Sequence, residues 1–398
     1  MARPAVVITG FGLRLPGANS MAELLRLYRS GKAATRPLGG ELTGFAGGRV
    51  GDPGLDALRT KQMDACAVLA LAAVTDALAM AGLGKGPGLD EAGVYVGCGG
   101  GGLESIEQSV LDWHQRQDVK SQTLMRCMAN APAAQISITW GCKGPSLSYA
   151  MACSSASHAI GEAVTRLQSG RCQRVIAGGT EAPLTQTMLR IWTAMRLLGQ
   201  GPEAVVRPFC YERGGLLLGE GAVFFILETL EAARARGAEP LAQLSGYGAW
   251  SDATHMTAPN SDGQARTMTL ALTDAGLSPE ALGHVSAHGT ATLAGDISET
   301  KAVKAVFGAH AARLSVSATK SFHGHLLGAA GGVSLLASLL AVREGFVVPT
   351  VNFGTPDPEL DLDYVPNAAR EGVDIRHSLC NAFGFGGSNA SLIVSRVE

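Results

Sequence analysis

The stretch "SYAMACSSASHAIGEAVTRLQSG", residues 148–170, places one cysteine where two kinds of local order meet. Ahead of Cys153, Leu147, Tyr149 and Met151 alternate with smaller residues, the period of a pleated strand. Beyond it, Ala156, Ala159, Ile160, Ala163, Val164 and Leu167 recur at helical spacing, and Gly170 offers a helix stop. The pattern predicts a strand–cysteine–helix elbow, with small neighbours that leave the thiol reachable. A thiol at a helix's first turn meets unpaired N–H groups, which favour thiolate and can also hold an oxyanion.

Working outward, short apolar strands alternate with helical stretches: "AVVITGFG", "GVYVGCG", "RVIAGGTEAP" and "AVFFILETL", then "AQLSGYGAW", "HVSAHGT", "RLSVSATK" and "ASLIVSRV". This predicts α/β layers with helices packed on mostly parallel strands. No Pro- or Ser-rich linker divides the 398 residues. The charged "EAARARGAEP" (231–240) is the best seam, giving an N-terminal half over 1–238 and a C-terminal half over 239–398.

Composition narrows the function. With 46% hydrophobic and 17% charged residues the chain buries a large core. A net charge of −2 argues against a nucleic-acid binder. The eight cysteines stand singly with no CxxC pair, which favours a reducing compartment over a disulfide framework. The apolar start is too short for a signal peptide. Residues 321–342, "SFHGHLLGAAGGVSLLASLLAV", lack Asp, Glu, Lys and Arg, but their leading histidines, serines and glycines fit a buried helix better than a membrane span. A soluble, cytoplasmic protein with no membrane partner is expected.

Among nine histidines, His288 in "SAHGTATLAGDISE" and His325 in "SATKSFHGHLLGAAG" each follow a short strand in a small-residue loop. Either alone reads as a hydrogen-bonded structural histidine as readily as a catalytic one. Lys320 precedes His325, and Asp296 and Glu299 follow His288, so charges can balance around a common pocket. "GCGGGGLES" (97–105) contains a formal GxGxxG but lacks the second strand ending in an acidic residue that a dinucleotide site requires. His323 and His325 form an HxH with no third ligand indicated for zinc. In "NAFGFGGSNASLI", Phe383 and Phe385 lie between glycines, as loop anchors or as a hydrophobic gate.

Taken together, "ACSSASHAIG", "AHGTATLAGDISE", "TKSFHGHLLGAAG" and "NAFGFGGSNA" resemble the motifs of the β-ketoacyl-acyl-carrier-protein synthases, decarboxylating enzymes of the thiolase fold. "VVITGFG", "GCKGPSLS", "IAGGTEAP", "RPFCYERGGLLLGEGA" and "SDATHMTAP" extend the likeness, in order, over nearly the whole chain. The resemblance implies a five-layered α/β/α/β/α architecture of two similar halves, in a homodimer or a dimer with a related subunit. It implies that Cys153 takes an acyl group from a carrier protein's phosphopantetheine, that His288 and His325 serve the malonyl thioester, and that Lys320 organises their charge with Glu299 and Asp296 in support. An oxyanion hole from the N–H groups of Cys153 and Phe385, a pantetheine path past Thr290 and Thr292, and an acyl chamber bounded by Phe383, Phe385, Gly100 and Trp192 follow from the same likeness. Arg59, Lys61, Arg116, Lys120 and Arg196 are candidates for the carrier contact, and no metal or redox cofactor is needed.

The chain departs from the family pattern at Cys210 and Gly214, where acidic residues are common, and at Ser334, where a glutamate is common. Gly100 replaces a bulkier apolar residue and Trp192 a smaller aromatic, which points to a reshaped acyl pocket and a specialised fatty-acid or polyketide pathway. Three rivals stand beside this reading. One is a hydrolase using Cys153, His288 and Asp296, and another a catalytically silent partner subunit. The third is a non-decarboxylating thiolase with Cys380 as second cysteine.

Overall fold

The computed structural model describes residues 3–56 and 60–397. Its main sheet is formed by β1 (Val6–Arg14), β4 (Gly93–Gly97), β5 (Ser146–Tyr149), β6 (Arg174–Glu181), β7 (Gly221–Thr229), β8 (Ala242–Ser251), β9 (His284–Ser286), β10 (Ser315–Ser317), β11 (His377–Gly384) and β12 (Ser388–Ser395). A separate ribbon pairs β2 (Arg36–Pro37) with β3 (Ala46–Gly47). The main order is β10-β9-β11-β12-β8-β1-β7-β6-β4-β5. Read from either edge to the centre, the strands of each half come third, second, fourth, fifth, first, so one topology occurs twice. The halves join where Val6, Val7 and Ile8 of β1 pair antiparallel with Leu244, Gln243 and Ala242 of β8.

The layers follow from burial. Helix α1 (Ala65–Met80) packs on β1 and β7, and α3 (Ala131–Trp140) on β4 and β5, leaving α2 (Leu103–Arg116) outside them. Helix α5 (Gln186–Ala194) carries Trp192, and helices α6 (Ser261–Ala275) and α7 (Leu293–Phe307) cover the other half, α6 lying against β8 and β12. Between the halves run α4 (Ser155–Gln168) and α8 (Ala330–Glu344), each touching strands of both. This is the α/β/α/β/α arrangement. Helix α8 is buried at every position from Ala330 to Val342, as an all-apolar helix requires, and stops at Gly345 in the left-handed region.

Two expectations differ from the structure. The pairings are not mostly parallel, because β1, β7, β8 and β12 all pair antiparallel with their neighbours, which leaves parallel ladders only at the outer ends. The "NAFGFGG" segment is not simply a loop: Phe383 lies within β11, which ends at Gly384, and only the turn around Phe385 interrupts a hairpin with β12. Glycine turns hide such a strand from periodicity.

Candidate active site

Cys153 sits in a single turn, Ala152–Ser154, between β5 and α4. Ala152 is held at φ 49°, the left-handed region that L-residues avoid, so Cys153 is presented on a strained elbow. Ser155 Oγ accepts the Met151 N–H at 2.9 Å and donates to the Ala152 carbonyl at 2.6 Å, which fixes that elbow. The backbone N–H groups of Phe385 and of Cys153 itself donate toward the Cys153 sulfur. The expected lowering of the thiol pKa is outweighed: burial pushes it up to about 11, with Lys320 pulling down and Glu181 pushing up. At 5% exposure the cysteine is reachable only through the cavity in front of it.

The histidines arrive on loops after β9 and β10. Glu299 of α7 accepts the N–H of His288 and of Gly289, both at 2.8 Å, and the Asn381 side-chain N–H at 3.1 Å. His325 donates its N–H to the Leu217 carbonyl at 2.7 Å and accepts the Gly219 N–H on its own carbonyl at 3.0 Å. The two rings stand 5.4 Å apart at 81°. Burial, with Lys320 adding its charge, holds both imidazoles well below their usual pKa and therefore neutral. Lys320 Nζ lies 3.2 Å from His288 Nδ1 and donates to the His288 carbonyl; burial brings its own pKa down to about 8. Asp296 accepts the Phe209 N–H at 2.7 Å and the Ala291 N–H at 3.1 Å, and burial lifts its carboxyl to about 7.

One cavity gathers Cys153, His288, His325, Thr290, Thr292, Phe383, Phe385 and Trp192, with Glu299 behind His288. Trp192 stacks on Phe385 at 5.6 Å and 19°, and Phe383 meets His288 edge-on at 5.8 Å. The Thr290 and Thr292 hydroxyls share a hydrogen bond of 2.9 Å on the cavity wall.

Other candidates lie elsewhere. Gly100 is not in the cavity wall: Leu103 fills the space in front of it, so that a Cβ at 100 would stand 2.7 Å from Leu103 Cδ1. Arg196 is exposed on the cavity lip, whereas Lys61, Arg116 and Lys120 are exposed away from it, and Arg59 lies outside the described residues. His323 has both nitrogens engaged, with Tyr28 Oη and the Pro16 carbonyl at 3.0 Å each, which removes it from any HxH metal pair.

The rivals fit less well. Asp296 spends its oxygens on backbone N–H groups and none on His288, so no hydrolase-type triad is formed. Cys380 is buried in β11 outside the cavity wall, where burial pushes its thiol up to about 12. Sequence reasoning passed over Asn381, which steadies Glu299, and Gln264, which lines the cavity while accepting from Ser298 Oγ at 2.9 Å. Glu181 in "IAGGTEAP", a fully buried carboxylate, is a third such residue. An acidic residue ending an otherwise apolar strand was the available signal.

A buried thiol served by two N–H donors and two neutral imidazoles, in a doubled α/β/α/β/α fold, defines an acyl-transferring condensing enzyme. The chain belongs to the β-ketoacyl synthase family: residues 3–233 match the family's "Beta-ketoacyl synthase, N-terminal domain" and residues 241–354 its "Beta-ketoacyl synthase, C-terminal domain". It is similar to "Nodulation protein E" of Rhizobium meliloti (strain 1021), 40% identical over 98% of this chain and 99% of that protein. It is also similar to "3-oxoacyl-[acyl-carrier-protein] synthase 2" of Staphylococcus aureus (strain COL), 38% identical over 99% and 98% of the two chains. Among solved structures it is similar to "The ishigamide ketosynthase/chain length factor", with a TM-score of 0.92 at 32% identity over 100% of both chains. A second likeness is to the ketosynthase of "AntDE:AntF (apo): type II PKS acyl-carrier protein in complex with its ketosynthase bound to the hexaketide", with a TM-score of 0.91 at 28% identity over 100% of both chains.

Proposed function

We propose that the protein is a 3-oxoacyl-[acyl-carrier-protein] synthase of a specialised fatty-acid or polyketide pathway, acting on substrates carried by phosphopantetheine. The observation that carries this reading is the convergence of Cys153, His288 and His325 on one cavity. In the first half-reaction the Cys153 sulfur attacks the acyl thioester carbonyl and the carrier's thiolate leaves. Because the resting thiol is held near 11 by burial, its proton must depart as the C–S bond forms; His325, the imidazole whose ring Lys320 does not engage, is the available base and hands that proton to the departing carrier thiolate. In the second, malonyl-carrier loses CO2 while the N–H donors of His288 and His325 receive the charge growing on its thioester oxygen. The resulting carbanion attacks acyl-Cys153, the N–H groups of Cys153 and Phe385 hold the oxyanion, and the thiolate departs, leaving 3-oxoacyl-carrier.

The same reading makes the protein a dimer, with itself or with a related subunit. The sheet ends at β5, whose edge is largely exposed, and around it stand Leu147, Ile138, Leu124 and Met125 at 43–71% exposure. An unpaired apolar edge of this kind favours strand pairing with a second chain. Retention of the nucleophile and both histidines disfavours a silent partner subunit. Carrier docking is assigned to the cavity lip at Arg196, and the free cysteines suit a reducing cytoplasm. Radiolabelled CO2 release from malonyl-carrier protein tests the assignment. Release dependent on His288 and His325 supports it, and hydrolysis of acyl-carrier without CO2 contradicts it.

A further inference from the structure

The glycine run after β4 has a purpose that the catalytic scheme does not use. Its N–H groups form an anion cradle, and the anion is the chain's own Glu181. Glu181 Oε2 accepts the Gly99 N–H at 2.7 Å and the Gly328 N–H at 2.9 Å, while Oε1 accepts the Gly100 N–H at 3.0 Å and the Cys98 S–H at 3.6 Å. Four donors on two oxygens leave no acceptor site for a proton, so the geometry calls for the carboxylate. No ion pair among the described residues includes Glu181; burial pushes its carboxyl up, and the three glycine N–H groups together with the Cys98 thiol oppose that rise.

The two loops so joined come from different halves of the fold. Gly328 lies three residues beyond His325, and the intervening Leu327 is held at φ 42° in the cluster that packs around Cys153. The approach admits no side chain: a Cβ on Gly328 would stand 2.5 Å from Gly99 N and 2.6 Å from Glu181 Oε2, and one on Gly99 2.9 Å from the same oxygen. We propose that Glu181 is a positioning residue whose carboxylate ties the glycine loop at 99–100 to the loop carrying His325, and so sets where that imidazole meets the malonyl thioester. The proposal rests on the condensing reading above.

The test compares Glu181→Gln and Glu181→Asp with wild type in three readouts: acylation of Cys153 by acyl-carrier protein, CO2 release from malonyl-carrier protein, and iodoacetamide alkylation of Cys153 across pH. The amide can accept in only one place, so Glu181→Gln is expected to keep acylation within about threefold while CO2 release falls by about 30-fold or more, as small misplacements of a catalytic group do. Glu181→Asp, which keeps the charge, restores part of the CO2 release, and it gives the same split if the Gln variant does not fold. Loss of both half-reactions in equal ratio, or of neither, overturns the proposal. Alkylation reads the site independently of the reaction. Because the Glu181 charge raises the Cys153 pKa, removing the carboxylate should move this pH profile downward even if wild type proves unable to condense, and an unmoved profile overturns the ionised Glu181 that the proposal requires.

Discussion

Lys320 Nζ stands 3.2 Å from His288 Nδ1 while also donating to the His288 backbone carbonyl. An ammonium can only donate, so Nδ1 is the acceptor and the ring proton lies on Nε2. Lys320 thereby selects the tautomer, and a neutral imidazole with Nε2–H is the form that can donate to an oxyanion.

Replacing Lys320 with Met frees that tautomer and removes the nearby positive charge. CO2 release should fall by about 10²–10³-fold, the range seen when one oxyanion donor is lost. Quantifying CO2 from malonyl-carrier protein reads this, while alkylation of Cys153 confirms an intact chamber. Release within twofold of wild type would refute the role assigned to Lys320.

Trp192 and Phe385 form the stacked wall of the chamber. Trp192→Ala removes that wall and releases the Phe385 turn, whose neighbours Gly386 and Gly387 both lie at positive φ. Acylation by long-chain acyl-carriers should gain about tenfold relative to short-chain ones, the discrimination that one or two methylenes command in an apolar pocket. Mass spectrometry of the acyl-enzyme across a chain-length series measures it. Gly100→Ile tests the other departure noted in the sequence: because Leu103 occupies that space, the profile should change only if Leu103 moves into the chamber.

His284 gives a pH prediction. It is fully buried between Ser378 Oγ at 2.7 Å and Ser317 Oγ at 2.9 Å, and burial lowers its pKa from 6.5 to about 3. Below pH 6.5 the unfolded chain takes up a proton that the folded ring refuses, so this contribution is whole above pH 6.5 and is lost toward pH 3. In urea titrations, the stability gap between wild type and His284→Asn should shrink by about 1.4 kcal/mol per pH unit through that window. A gap independent of pH would show that the histidine is protonated in the fold.

The exposed β5 edge predicts the oligomer. Leu147→Arg with Ile138→Arg puts two charges into the apolar face and should convert a dimer to monomer in sedimentation velocity. An unchanged sedimentation coefficient would place the interface elsewhere.

The strand–cysteine–helix elbow was legible because its two periodicities differ so sharply on either side of Cys153. The histidines were legible as loop residues after short strands, but their meeting with Cys153 was not, since strand order decides it and no local pattern encodes that. The pKa of Cys153 was misjudged for a related reason: the helix-end effect is local, whereas the burial that outweighs it comes from the whole chamber. Gly100 illustrates the same limit. The vacancy is visible in the sequence, but Leu103 turning back to fill it is a matter of packing. Glu181 went unread because its partners are backbone groups of two distant glycine loops, and glycines carry no pattern that pairs them.

The most direct test is intact-mass analysis of the purified protein given acyl-carrier protein and then malonyl-carrier protein. A chain bearing one acyl group on Cys153, which is then discharged with CO2 release to leave 3-oxoacyl-carrier, is the predicted result. A chain that stays unacylated while iodoacetamide still labels Cys153, or an acyl group lost to water as free acid, would contradict it.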